Sequence, residues 1–223
     1  MAGVNETIVR EYFELNGFLV RQLRKYVGPG SREDDDIDFV VLNPHCQPLT
    51  SERPFLLASP DLAFIERAIV ILKAWHTEVF SPALLNNAPD FFSFLEKKPV
   101  REAAASFGKG GPVLKILALP ALPQEAQARD QSIAILRSKG LDGALSFPTM
   151  LADLVTHIEP NRNYQKSDLL QVIRILKNYD LFKEAQLDLF KSKRSKRKRA
   201  RAAKGTDSEA APDSANVSGS QPL

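Results

Sequence analysis

Ala68-Ile69-Val70-Ile71-Leu72 sets three consecutive β-branched residues inside an uninterrupted apolar run, and no other stretch constrains the fold as strongly. Branched side chains lose χ1 freedom in a helix and pack well on a pleated surface, so the run predicts a strand from Ala68 to Trp75. Just upstream, Ser59-Pro60-Asp61 is a helix start. Leu62, Ile65, Ile69 and Leu72 also fit helical spacing, so one long helix competes with a short helix, Pro60 to Glu66, followed by a strand. The short helix and strand suit the β-branched content better.

Around this strand the chain alternates. Asn5 to Leu15 reads as an amphipathic helix with Asn5 as N-cap, and Asn16-Gly17 ends it. Phe18 to Val27 has strand composition and closes in the turn Gly28-Pro29-Gly30-Ser31. An acidic loop, Glu33 to Asp36, precedes a strand Ile37 to Leu42 that stops at Asn43-Pro44. Helical segments are expected around Pro82 to Leu85, Asp90 to Glu96 and Val100 to Phe107, a strand at Val113 to Leu119 and a helix at Gln124 to Lys139. A short strand Asp142 to Phe147 and helices Thr149 to His157 and Lys166 to Leu181 complete the order. Such mixed ordering predicts an α/β fold, a central mixed sheet flanked by helices.

Charge is distributed unevenly. Nine of the thirty Lys and Arg residues fall between Lys191 and Lys204, whereas only three of the twenty-seven acids lie beyond Phe190. The residues up to Phe190 therefore carry 21 cations against 24 acids, a net charge of −3, and the overall +3 comes from the tail. The expected organisation is one α/β domain, residues 1–186, and a disordered, basic, low-complexity tail, residues 187–223. Lys193, Arg194, Lys196, Arg197, Lys198, Arg199 and Arg201 form a sequence-independent electrostatic hook for nucleic acid. A solubilising extension is the simpler reading of the same residues.

A single cysteine, Cys46, excludes an intramolecular disulfide, and no run of eighteen apolar residues is present. These features predict a soluble protein without a membrane partner in a reducing compartment: cytoplasmic, nucleoid-associated, or nuclear in a eukaryotic host. His45-Cys46 invites a zinc or nucleophile reading, but two adjacent residues cannot close a tetrahedral site, and a loop thiol is expected. Gly108-Lys109-Gly110-Gly111 lacks the Gly-Lys-Ser/Thr ending of a phosphate loop and precedes a strand instead of following one.

The chemistry-bearing residues lie in the first half. Asp38 stands at the head of one predicted strand and Lys73 near the end of the next, with Ile71 two residues before the lysine. Glu6 lies eleven residues before Gly17-Phe18. This spacing resembles the restriction-endonuclease-like, or PD-(D/E)XK, superfamily, particularly its archaeal Holliday-junction resolvase and NERD-like branches, over roughly Asn5 to Phe182. Those proteins carry a glutamate on a first helix, a Gly-Phe leading into a first strand, an aspartate on a second strand and a Glu-x-Lys on a third. The resemblance implies metal-assisted phosphodiester hydrolysis, with Asp38 as central Mg²⁺ ligand, Glu6 as outer ligand or water-positioner, and Lys73 orienting the nucleophile. It also implies a degenerate motif, because Ile71 occupies the acid position and a hydrocarbon cannot coordinate Mg²⁺.

Two outcomes remain open at this level. A neighbouring acid, Glu11, Glu66 or Glu78, replaces the missing ligand, or the site is eroded and the fold survives as a DNA-binding module. An interaction domain that never meets nucleic acid is the alternative from another class, and the body's net acidity favours it. Each site residue also has a structural reading: Glu6 as a first-turn acid complementing the helix dipole, Asp38 as a strand start, and Lys73 as a lysine whose stem covers apolar surface. Trp75 is expected in the core with His76 exposed. The loop Asn161 to Lys166 is expected to be a turn with Tyr164 packed inward; phosphate contacts by Arg162 and Lys166 are its functional alternative.

Overall fold

The structure is a computed structural model that describes residues 3–23, 37–49, 52–87, 89–95, 97–105, 107–108 and 111–182. The turn at Gly28, the acidic run Glu33 to Asp36, the centre of the Gly108 loop, the expected boundary at 186 and the basic tail lie outside the described residues. Two compact units divide between Ile175 and Leu176.

The first unit is an α/β domain built on a five-stranded mixed sheet of order β1-β2-β3-β4-β5. The strands are β1 (Leu19–Gln22), β2 (Phe39–Leu42), β3 (Arg67–Leu72), β4 (Leu114–Leu119) and β5 (Gly143–Ser146). β1, β2 and β3 pair antiparallel, and β3, β4 and β5 pair parallel. A parallel neighbour requires a crossover, and helices supply it. Between β3 and β4 run α3 (Pro82–Asn87), a 3-10 helix (Pro89–Leu95) and α4 (Lys97–Ala105), and α5 (Ala126–Ser138) joins β4 to β5. The remaining helices are α1 (Val4–Leu15), α2 (Ser59–Leu62), α6 (Phe147–His157) and α7 (Asp168–Asn178).

β3 is central, and its four inner residues are buried, as a strand covered on both faces must be. Register sorts the side chains. Val40 opposes Ile69, and Ile71 opposes Leu117; this face packs on Leu85 of α3, Phe91 and Phe92 of the 3-10 helix, Ala103 of α4 and Leu136 of α5. Phe39 opposes Val70 and Val20 opposes Val41 on the reverse face. There α1 lies beside β1 and α6, its Phe13 ring meeting Phe18 edge-on at 5.2 Å. Gly17, with φ +83°, supplies the left-handed residue that lets Phe18 N–H donate to the Phe13 carbonyl at 3.0 Å and so turns α1 into β1.

Several boundaries differ from expectation. The short-helix-plus-strand reading holds, but β3 ends at Leu72 and not at Trp75. Lys73 N–H still donates to the Ala118 carbonyl, after which a turn closes as Glu78 N–H donates to the Trp75 carbonyl. Trp75 is therefore 40% exposed instead of in the core, lying over Phe80 and Phe91 at the surface of the aromatic cluster. α1 is capped by Gly3, not Asn5. α6 begins at Phe147 because the Ser146 hydroxyl accepts from Thr149 N–H, the bond that makes serine an N-cap. Of the second unit, residues 176–182 are described, with a reversal at Asp180, φ +58°, where Leu181 N–H donates to the Leu176 carbonyl.

One partly buried polar chain ties α1, α2 and α6 together. The Tyr12 hydroxyl lies 3.0 Å from Ser59 Oγ, which donates to Asp153 Oδ2 at 2.5 Å. Burial pushes the Tyr12 phenol from 10.0 up to about 12. The folded state thus holds a neutral phenol while the unfolded chain ionises first, so stability is intact below pH 10, falls between 10 and about 12, and levels off above. The loss amounts to about 3 kcal/mol across that window. Urea denaturation from pH 9 upward will show this decline, and Tyr12→Phe will flatten it; equal slopes for the two proteins would contradict the assignment.

Candidate functional site

Asp38 sits one residue before β2 but already belongs to the ladder, its N–H donating to the Val70 carbonyl at 3.1 Å and its carbonyl accepting from Leu23 N–H at 2.9 Å. The regular β2–β3 register stops at the pair Phe39 and Val70: the Asp38 amide turns to β3 and its carbonyl to β1, and Ile37 packs in one cluster with Val40. Alternation is therefore broken at Asp38, while Ile71 and Lys73 keep a common face at the carboxyl end of β3. Asp38 is 8% exposed and Lys73 6%. Asp38 Oδ2 accepts a 2.7 Å hydrogen bond from Leu72 N–H, a short charge-assisted bond that holds the last residue of β3. Lys73 Nζ stands 5.6 Å from the centre of the Phe91 ring, on the aromatic wall of the same core.

Ile71, at the position where the resemblance requires an acid, is 1% exposed and belongs to the hydrophobic cluster with Ile69, Phe80, Phe91, Leu117 and Leu119. Glu6 is placed differently. Its helix covers the reverse face, and its carboxylate folds back over Gly3, the N-cap of its own helix, where a first-turn acid offsets the helix dipole. The first turn of α1 nevertheless reaches the end of β3, because Asn5 Oδ1 lies 2.8 Å from His76 Nε2. The His76 ring in turn meets Phe147 edge-on at 4.7 Å.

None of the three replacement acids closes the set. Glu11 is buried in α1 with Arg10 Nη2 at 3.5 Å, and its charge adds to the burial that raises the Glu14 carboxyl. Glu66 precedes β3 at the end remote from Lys73 and pairs with Arg67 at 3.0 Å. Glu78 is exposed in the turn after Trp75. Among the described residues no three His, Cys, Asp or Glu side chains gather as a metal site. One buried carboxylate with an oxygen committed to a backbone amide, beside a hydrocarbon and a lysine, does not fit a hard divalent cation that takes six or more oxygens. Among the described residues this set does not suit Mg²⁺; the acidic run Glu33 to Asp36 lies outside them.

The secondary candidates resolve simply. Cys46 Sγ donates to the Gln47 carbonyl at 3.4 Å, and burial pushes its thiol up, away from the thiolate a nucleophile needs. The Asn161 to Lys166 loop folds on itself: Tyr164 Oη accepts from Glu159 N–H at 3.1 Å and the Arg162 guanidinium lies 6.0 Å from its ring. Arg162 and Lys166 remain exposed. The Leu72 amide, partner of Asp38, has no signature in sequence because any residue supplies it.

Fold and site together define an α/β domain with a mixed five-stranded sheet and an aspartate and lysine at the carboxyl end of its central strand. No protein-family model, curated protein or solved structure matches the chain. No described helix is long and apolar enough to cross a membrane.

Proposed function

We propose that this protein is a nuclease-derived module that binds nucleic acid and does not cleave it. The element order, one helix, three antiparallel strands and then parallel strands joined by helices, supports descent from the PD-(D/E)XK superfamily that the motifs resemble. The observation that carries the loss of chemistry is Asp38 bonding the Leu72 amide while Ile71, at the acid position, is buried in the core. An acid so committed serves the sheet. Affinity comes instead from the nine cations between Lys191 and Lys204, which neutralise phosphates and release counterions. A second reading, a protein-interaction domain, draws on the net −3 of the residues before the tail.

Incubation of the full chain with duplex DNA, single-stranded DNA and RNA in Mg²⁺ or Mn²⁺ is expected to give binding without cleavage. Metal-dependent cleavage that Asp38→Asn abolishes would overturn the inert reading. Absence of binding to all three polymers at low salt would favour the protein-interaction domain.

A further inference from the structure

The chain leaves β4 and β5 in opposite directions. From Leu119 it passes to α5, whose Leu136 packs in the cluster with Ile71 and Phe91; from Ser146 it passes directly into α6, which lies against α1 on the reverse face. Adjacent parallel strands whose carboxyl-end connections diverge leave a crevice between them, the position where open α/β sheets bind ligands. Here the crevice is a cavity of about 270 Å³. Its apolar lining includes Leu57, Leu119, Leu122 and Ala144. Leu57 is fixed there because its N–H donates to the Ala144 carbonyl at 2.9 Å, extending the sheet beyond β5.

The polar lining is sparse. Ser146 and Thr149 contribute hydroxyls bonded to each other, and Gln124 an exposed amide. Arg129, in the first turn of α5, lines the wall half-buried, and among the described residues nothing pairs with its guanidinium. The N-cap of α5, Glu125, makes no side-chain cap bond, so the first amides of that helix also lack a side-chain acceptor. An apolar chamber with one unpaired guanidinium suits a ligand with an apolar body and a single anionic end, which a guanidinium takes in a bidentate pair. The volume is below the roughly 300–1,000 Å³ of sites for drug-sized molecules, so the ligand is small.

We propose that the cavity between the carboxyl ends of β4 and β5 binds a small organic monocarboxylate, its apolar body against Leu57, Leu119 and Ala144 and its carboxylate on Arg129. This site is independent of the nucleic-acid reading and stands or falls without it. The test titrates the full chain, by ¹H–¹⁵N correlation spectra, with a linear series from propionate to octanoate, with benzoate, with hexanamide as a neutral control and with inorganic phosphate. At least one of the carboxylates is expected to give saturable shifts confined to residues around β4, β5 and the start of α5. Arg129→Gln should weaken that binding about tenfold, the loss of one charge-assisted pair. Ala121→Phe, which fills the chamber from its wall, should abolish it while the dispersed spectrum of a folded protein persists. No saturable binding by any acid overturns the proposal, as does equal binding by Arg129→Gln, by Ala121→Phe, or of hexanamide. Tight binding of phosphate alone would show an anion site without an apolar chamber and would overturn it equally.

Discussion

On the proposed nucleic-acid reading, truncation after Phe190 will remove most of the affinity for duplex DNA and most of its salt dependence. The segment Lys191 to Lys204 carries nine cations in fourteen residues, while everything before it sums to −3 and repels a polyanion at long range. If about six of those cations contact phosphates, log K should fall with log[salt] at a slope near −5, a loss of roughly a thousandfold between 50 and 200 mM salt. Contacts to phosphate carry no sequence information, so duplexes of unrelated sequence should bind alike. Fluorescence anisotropy of labelled duplexes at four or five salt concentrations, on the full chain and the truncation, measures both quantities. Survival of affinity and slope in the truncated protein would move the interface onto the folded domain, with exposed Arg162 and Lys166 the next residues to replace.

What the sequence made legible follows the range of the forces involved. β3 is readable because Ile69-Val70-Ile71 encodes strand preference locally, and the end of α1 because Gly17 alone suits φ +83°. The overall α/β order was legible for the same reason. The end of β3 was not: Trp75 is as apolar as a strand residue, and only the stop in pairing after Lys73 and the turn to Glu78 bring it to the surface. Of the candidate site, the sequence singled out Asp38, Lys73 and the anomaly at Ile71 as candidates, and period-two alternation placed Ile71 with Lys73. It could not place Glu6, because the sheet face a helix covers is decided by its packing on β1 and α6, not by its own residues. Nor could it show that Asp38 would meet a backbone amide 34 residues away. The cavity at β4 and β5 was invisible altogether, since it arises from two connections diverging and no single segment encodes it.

The second large effect is expected at Asp38 and Ile71, where a metal site and a structural clamp predict opposite responses. Asp38→Ala leaves the partly buried Leu72 amide without its acceptor, which costs about 1–3 kcal/mol. Asp38→Asn keeps an acceptor oxygen and should lose less. Ile71→Glu sets a carboxylate into the cluster of Phe91, Leu117 and Leu119, one residue before the Leu72 amide that Asp38 holds. Burial in an apolar cluster opposes it, so the loss without metal should be about 3 kcal/mol or more. The new carboxylate and Asp38 are also the pair that the nuclease resemblance would have a divalent ion bridge. Millimolar Mg²⁺ should therefore raise the Tm of Ile71→Glu by preferential binding to its folded state. It should leave the natural protein unmoved, and adding Asp38→Asn to Ile71→Glu should cancel the rise. Thermal denaturation of these proteins with and without Mg²⁺ separates the cases. A Mg²⁺-dependent rise in the natural protein would mean that an acid elsewhere completes the site, whereas no rise in Ile71→Glu would mean that Asp38 and position 71 do not meet as a cation site.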